Sequence, residues 1–450
     1  MVANKKSSKS IYIKTFGCSL NQSDSETMAG LLRDSGFDVV CEYGSVEKNY
    51  PITQFDVAII NSCTVKNLSE SKFFRELRRW QSRGATVIAA GCVPQAESGL
   101  LDGRLKDVSV IGTRHIADIV DVVNDTISGK IVHAISNDYN GRLNLPKIRK
   151  VGMVEIIPIS EGCTSNCSYC KTKFARGELL SYPKEQIIAQ FKSALDDGCK
   201  EFWITSQDNG CYGIDIYRKE KYFLPQLLND LLSMKGDFRI RLGMCNPDHV
   251  DRIKDDLVRT FKNPKIFKFL HIPVQSGNDK VLREMKRPYT VKKFLRIISL
   301  FREEIPDVTM STDIIVGFPD ESEKEFKDTL KLVSGVKFEV LNYSRFWSRK
   351  GTSASQRKQL PSEIMVERSG RLKECFEGYL AQTNECWVGK KFDVLIDEVS
   401  RDGSFIGRND SYKQVRLESS GNDSHRLKLG DSVKVRIVDA RKYVLIGERI

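Results

Sequence analysis

Three cysteines, Cys163, Cys167 and Cys170, stand in C-x3-C-x2-C spacing within Glu161-Gly-Cys-Thr-Ser-Asn-Cys-Ser-Tyr-Cys170. A closed tetrahedral zinc site or an ordinary four-thiolate cluster needs four protein ligands, so this stretch is one thiolate short. Three thiolates can hold a cubane iron–sulfur cluster and leave one iron open to another ligand. The alternatives are three unconnected thiols, or a zinc knuckle completed by a ligand from elsewhere. Cysteine is otherwise infrequent in the chain, and such close spacing favours the cluster.

A second set is scattered. Cys18, Cys63 and Cys92 each follow the C-terminal end of a predicted strand, at 11–15, 57–60 and 85–90. That edge is where ligands bind in an open α/β sheet, so thiols far apart in sequence would converge there. Buried structural cysteine is the competing reading. Cys41, after the β-like stretch 37–40, could replace one of the three.

The elements that must position these thiols alternate strand and helix. A helix is predicted over 23–34, with Ser23 as N-cap and Glu26 completing a capping box, and a basic helix over 72–83. Such alternation implies a parallel sheet with helices on both faces. Residues 133–150, with Asn137, Asp138, Asn140, Gly141, Asn144 and Pro146, read as a linker. Central strands are predicted at 154–159, 201–205, 239–244, 266–272, 308–316 and 338–343, separated by amphipathic helices. They suggest a complete or partial β/α barrel with its active site at the strand C-terminal ends.

Past residue 382, short alternating runs at 392–396, 404–407, 414–417, 432–437 and 444–447 read as a small β-barrel of nucleic-acid-binding type. Its cations are Lys413, Arg416, Arg426, Lys428, Lys434 and Arg436. The expected class is therefore α/β, in three parts. They are an open parallel-sheet domain at 9–132, a partial β/α barrel core at 149–382, and the small barrel at 383–450.

Loops after the core strands supply further candidates. Gln207 and Asp208 could bind the polar end of a cofactor, and Gln275 and Gly277 lie in a loop open to a ligand. In the segment 313–319 after the fifth strand, Gly317 and Pro319 suit a turn that lays backbone against an adenine ring, and Asp313 is a further candidate for cofactor contact. His271 reads as a hydrogen-bonded structural histidine, and Asp313 equally as an internal carboxylate neutralised by an arginine.

A chain of 450 residues exceeds one ordinary core, and 40% hydrophobic with 29% charged residues describes a globular protein. No window approaches the apolar length of a membrane span, and the basic N-terminus lacks a signal-peptide core. These features predict a cytoplasmic protein with no membrane partner. Twelve cysteines in that setting act as reduced ligands rather than disulfides. The net charge of +12 suits a polyanion such as RNA.

The C-x3-C-x2-C spacing resembles that of the radical S-adenosylmethionine (SAM) enzymes, whose open iron binds the amino and carboxylate groups of SAM. Thr15-Phe-Gly-Cys18-Ser-Leu-Asn21-Gln-Ser-Asp24-Ser-Glu26, Asn61-Ser-Cys63-Thr-Val65 and Ala90-Gly-Cys92 resemble the N-terminal domain of the methylthiotransferases. Cys163 to Cys170 followed by Arg176-Gly177 resembles their radical core, and residues 383–450 their TRAM barrel. Cys170-Lys-Thr-Lys-Phe-Ala-Arg-Gly177, Trp203-Ile-Thr-Ser-Gln-Asp-Asn-Gly210 and Arg241-Leu-Gly-Met-Cys-Asn-Pro247 resemble the archaeal and eukaryotic subgroup. Members of that subgroup methylthiolate N6-threonylcarbamoyladenosine at position 37 of tRNA. Eukaryotic relatives add a hydrophobic anchor after the barrel, so the archaeal type is expected.

The resemblance implies two [4Fe-4S] clusters, on Cys163, Cys167 and Cys170 and on Cys18, Cys63 and Cys92. It implies that the first cleaves SAM to a 5′-deoxyadenosyl radical that takes hydrogen from adenine C2, and that the second presents methylated sulfur. The implied partners are a tRNA anticodon stem-loop, read as unstacked bases, and an electron donor of flavodoxin or ferredoxin type. The sulfur donor is not legible. Lys350, in Ser348-Arg-Lys-Gly-Thr352, stands where relatives usually carry proline. Rival targets are isopentenyladenosine tRNA or a ribosomal-protein aspartate; a non-enzymatic rival is a zinc-bound RNA-binding protein.

Overall fold

Apolar runs set the sheet of the first unit. In the computed structural model, residues 9–43, 55–64, 67–136, 138, 141–418 and 427–450 are described. The chain divides into one unit of Met1–Gly152, Ile156–Cys163 and Cys170–Gln190, and a second of Met153–Glu155, Thr164–Tyr169 and Phe191–Ile450. Val65, Asn137, Asn140, the turn at 421–423 and Arg426 lie outside the described residues.

In the first unit, β1 (Ser10–Thr15), β2 (Asp38–Tyr43), β3 (Val57–Ser62), β4 (Thr86–Gly91), β5 (Ser109–Ile111) and β6 (His133–Ala134) form one sheet. Its order is β2-β1-β3-β4-β5-β6, and every pairing is parallel. Strands covered on both faces read as apolar runs, and β3, apolar over 57–60, is buried at all its positions. Ile11, Ile13 and Ile59 feed one core, while Tyr12, Ala58 and Ile60 feed the other. Strands β5 and β6 are too short and too little alternating to be read from the sequence.

Helix α1 (Ser19–Asp34) begins earlier than predicted, with Cys18 at its N-cap and no side-chain cap bond. The predicted capping box does not form. Ser23 Oγ instead donates to the Ile156 carbonyl at 3.4 Å, and Glu26 Oε1 accepts from Lys150 N at 3.0 Å. The predicted linker is also corrected, because much of it is packed structure. Arg142 and Leu143 are buried, Ile148 N donates to the Glu26 carbonyl, and Gly30 has no room for a Cβ beside the Pro146 backbone.

The second unit holds parallel pairs of Glu201–Thr205 with Arg239–Leu242, and of Thr309–Val316 with both Phe269–His271 and Val340–Arg345. Lys200 N and Glu201 N donate to the Met153 carbonyl, at the start of a strand (Val154–Pro158) that precedes the cysteine loop. Helices Leu224–Leu232, Pro247–Phe261, Val291–Glu304 and Glu323–Val336 alternate with these strands, giving a partial β/α barrel. Helix Ser362–Glu385 leads to a closed five-strand barrel, Lys391–Val399, Phe405–Arg408, Gln414–Leu417, Ser432–Ala440 and Leu445–Arg449. Its turn at 409–413 seats on the N-terminal ends of the core strands. Lys268 N donates to the Asp410 carbonyl, Tyr412 Oη to Glu201, and the Arg241 guanidinium lies 5.2 Å from the rings of Trp203, Phe269 and Tyr412. Lys413, expected on the basic face, is buried there. Its Nζ donates to Asn384 Oδ1, and burial lowers its pKa.

Candidate active site

The strand-end geometry brings Cys18, Cys63 and Cys92 to one place, around Asn21. Cys18 follows β1, Cys63 follows β3 and Cys92 follows β4, and these strands are neighbours in the sheet. Asn21, in the first turn of α1, has Oδ1 at 3.3 Å from Cys18 Sγ and 3.8 Å from Cys92 Sγ. Its Nδ2 donates to Asn61 Oδ1 and to the Ser62 carbonyl, the residues just before Cys63. Asn61 Nδ2 returns a bond to the Asn21 carbonyl at 2.9 Å and to Ser25 Oγ at 2.8 Å. Gly17, at φ +128°, lies so close that a Cβ there would stand 2.5 Å from Cys63 Cβ and 3.2 Å from its sulfur. The thiols are thus locked by backbone and amide, not by apolar filling.

The donor set fits an iron–sulfur cluster with an open position. A hydrogen bond from the Cys63 thiol, aided by backbone N–H donors and the Arg176 charge, brings the Cys18 pKa down to about 6. A thiol held near its ionised form is what a metal ligand requires. Burial pushes Cys92 up, against the pull of Arg176. Cys41 does not belong to the group. It pairs with Ile13 inside the sheet, packs on the apolar core, and is raised by burial to about 11.

Cys163, Cys167 and Cys170 lie half-buried in the loop after Ser160–Glu161. Within the first unit, Cys163 N donates to the Gly177 carbonyl, and Lys173 Nζ reaches the Cys163 carbonyl. Within the second, Ser168 N and Oγ donate to the carbonyls of Met285 and Glu284, and Thr164 Oγ1 lies 3.0 Å from His249 Nε2.

The polar candidates fall into separate groups at the strand ends of the second unit. The Asp208 carboxylate is buried and fully engaged, accepting from Gly210 N, Asn246 N, Asn246 Nδ2 at 2.7 Å and His249 Nδ1 at 2.6 Å. These donors outweigh burial and hold its pKa below the usual carboxylate range, while His249 is raised. Arg287 is buried, donates to Asn246 Oδ1 at 2.6 Å and covers Tyr169 and Tyr289, with the charge of Cys167 in reach. Gln207 is half-buried beside Asp208.

Asp313 lies within its strand. Its hydrogen-bond partners are His271 Nε2 at 2.9 Å and Asn342 Nδ2 at 3.0 Å, and against burial these together with the charge of Arg287 hold its carboxyl below the usual range. His271 is hydrogen-bonded, as the sequence predicted. Gln275, at φ +69°, exchanges backbone bonds with Asp313 and Ile315. At Gly277 the neighbour is the Thr329 helix, 2.6 Å from where a Cβ would stand, so this glycine admits a helix. Gly317 N donates to Glu321 Oε2 at 3.0 Å, and burial raises the Glu321 carboxyl to about 7 despite Arg368. Pro319 is buried next to it. Asn246, His249, Arg287 and Glu321 were missed in the sequence, although Asn246-Pro247 at a strand-to-helix turn marks the first two.

Residues 157–333 match the Radical SAM superfamily, residues 10–112 the Uncharacterized protein family UPF0004, and residues 387–450 the TRAM domain. The protein is thus a radical SAM enzyme in class. It is 39% identical over 450 residues to the threonylcarbamoyladenosine tRNA methylthiotransferase of Drosophila melanogaster, covering 97% of this chain and 77% of the other. It is 37% identical over 449 residues to the human protein of that name, covering 98% and 74%. It is 36% identical over 444 residues to a probable one from Pyrococcus horikoshii, covering 98% and 99%. The chain belongs to the family of threonylcarbamoyladenosine tRNA methylthiotransferases. Among solved structures, a radical SAM methyltransferase from Kitasatospora setae superposes with TM-score 0.54 at 12% identity, covering 77% of this chain and 75% of that one, which shows a shared fold.

Proposed function

We propose that this chain methylthiolates C2 of N6-threonylcarbamoyladenosine at position 37 of tRNA, with each cysteine triad holding one cluster. The carrying observation is the convergence of Cys18 and Cys92 on the Asn21 amide, with Cys63 in hydrogen-bond reach of Cys18. A closed zinc site needs four ligands and has no use for a second three-thiol group distinct from the Cys163 loop. Bound at these thiolates, two [4Fe-4S] clusters and SAM supply radical removal of hydrogen from adenine C2 and its replacement by methylated sulfur.

The chain's own residues provide placement. Cys163, Cys167 and Cys170 anchor the radical-generating cluster, and Cys18, Cys63 and Cys92 the sulfur-carrying one. His249, oriented by Asp208, fixes the Thr164 hydroxyl within the cysteine loop. Gln207, Gln275, Asp313, Gly317 and Pro319 border the strand ends that receive SAM. Asp208 acts there through Asn246 and His249, since both its oxygens are engaged, and Gly277 seats the neighbouring helix. The RNA partner is the anticodon stem-loop, and the electron donor is a flavodoxin- or ferredoxin-type protein. Among the described residues no helix is long and apolar enough to cross a membrane, and we place the enzyme in the cytoplasm.

The test is mass spectrometry of tRNA nucleosides from a strain lacking its own enzyme, with and without this chain. The methylthio form of threonylcarbamoyladenosine should appear only with the chain. If it appears without the chain, or if isopentenyladenosine or a ribosomal-protein aspartate is methylthiolated instead, the substrate assignment is wrong.

A further inference from the structure

A closed ring of buried charges stands beside the first triad, and cysteine ligation alone leaves it without a purpose. Asp24, Arg142, Glu161 and Arg176 are each no more than 5% exposed. Asp24 takes Arg142 Nη1 at 2.8 Å and Arg176 Nη2 at 2.7 Å; Glu161 Oε1 takes Arg142 Nη2 at 2.8 Å and Arg176 Nη1 at 2.6 Å. Such a ring is a costly way to gain stability, because apolar residues of similar volume would often do as well. Its formal charge cancels. It is not fully satisfied, however, since the Nε–H groups of both arginines and Glu161 Oε2 are buried without a hydrogen-bond partner.

It is Arg176 that faces the thiols. Arg176 closes helix Thr172–Arg176, which packs against helix Cys92–Ala96. Thr113 Oγ1 donates to the Ala175 carbonyl at 2.8 Å, and Arg114 Nη2 to the Arg176 carbonyl at 3.2 Å. Gly177, at φ +75°, takes the left-handed turn out of the helix that a side chain would strain. So placed, Arg176 is bonded to Asp24, three residues beyond Asn21 on α1, and ends the helix that packs on the one Cys92 begins, so its charge lies near enough to pull down both Cys92 and Cys18.

We propose that Arg176 is a positioning residue for the sulfur-carrying centre. From the segment that follows Cys170, its guanidinium donates to sulfur at the Cys92 corner of the first triad, and its charge holds that cluster's reduction potential up. The inference rests on the reading that Cys18, Cys63 and Cys92 hold a cluster. Reduction adds negative charge to a cluster, and a fixed cation in a low-dielectric site stabilises the reduced form. Asp24 and Glu161 then have a definite task, which is to hold that cation buried and aimed.

The test uses the full chain with Cys163, Cys167 and Cys170 changed to alanine, reconstituted anaerobically and titrated with redox monitoring by electron paramagnetic resonance. If this protein holds no cluster, the two-cluster reading itself fails. If it holds one, Arg176→Gln with Glu161→Gln should move the midpoint to a more negative potential. Arg142→Gln with Asp24→Asn removes the same charges but leaves Arg176 in place and held by Glu161 Oε1, and should not lower it. Equal midpoints in the parent and the Arg176 variant, or an equal fall in both variants, overturn the inference. A measurement free of folding effects uses the parent grown with 15N-arginine: the reduced cluster should show a 15N hyperfine coupling, and its absence also overturns the inference.

Discussion

Asn61→Ala probes the amide lock that sets the first triad. Asn61 is fully buried and makes three side-chain hydrogen bonds, to the Asn21 carbonyl, to Ser25 Oγ and from Asn21 Nδ2. None of these partners is stranded by the change. Asn21 Nδ2 keeps the Ser62 carbonyl at 2.7 Å, and Ser25 Oγ keeps the Thr15 hydroxyl at 2.7 Å. The loss is therefore the net worth of three bonds, about 1 kcal/mol each, and not the larger penalty for unsatisfied buried groups. A total of about 3 kcal/mol should lower the melting temperature of a unit this size by roughly 6–12 °C. Calorimetry of the cluster-free chain would measure it, with hydrogen exchange assigning the change to β3 and β4. Because Cys63 lies two residues beyond Asn61, anaerobic reconstitution should also fall towards half the wild-type iron and sulfide. If Asn61→Ala melts within about 2 °C of wild type and loads iron fully, the Asn21–Asn61 lock does not position the triad.

Division of labour between the triads is checked by two variants: Cys163→Ala should abolish 5′-deoxyadenosine formation, while Cys63→Ala should retain it and lose the methylthio product. If both variants lose only tRNA binding, the two-centre scheme is wrong. In the cluster-free chain, iodoacetamide should alkylate Cys18 with a half-maximal rate near pH 6, and Cys63→Ala should move that midpoint up, since the Cys63 thiol is the main cause of the shift. The folded-state pKa lies below the unfolded thiol value, so Cys18 contributes stability that is complete above the unfolded value and lost as pH falls towards 6; an ordinary thiol midpoint for wild type would contradict this. Lys434 and Arg436 project from the same face of one barrel strand, both exposed. Changing both to glutamate should weaken tRNA binding and flatten its salt dependence, each phosphate contact being worth roughly 0.7–0.9 in the log–log slope; an unchanged slope would remove this face from the RNA interface.

The meeting of Cys18, Cys63 and Cys92 was legible because parallel α/β topology decides where a strand end points. Three apolar runs, each followed by a cysteine, required only that the strands be neighbours, which β1, β3 and β4 are. Local signals failed where tertiary partners outbid them. Ser23 and Glu26 have capping-box spacing, yet α1 starts at Ser19 because Cys18 ends the turn out of β1, and the pair bonds Ile156 and Lys150 instead. The stretch 133–150 has linker composition, but Gly30 lets the Pro146 backbone lie directly on α1. Lys413 was read as surface charge, although Asn384 and the Trp387 ring give it a buried partner set.

The charge ring was illegible for a deeper reason. An arginine or aspartate in a sequence is by default a solvated surface group, and nothing near Asp24 or Arg176 in the chain marks either as buried. They are 152 positions apart, and each tolerates burial only because the other is there. The meaning of such residues is collective: Arg176 can be held against the thiols only once Asp24 from α1 and Glu161 from the strand before the cysteine loop close around it. Cysteine spacing therefore points to where a cluster would be held, while the buried charges beside it become visible only when the folded chain brings opposite charges to the same dry place.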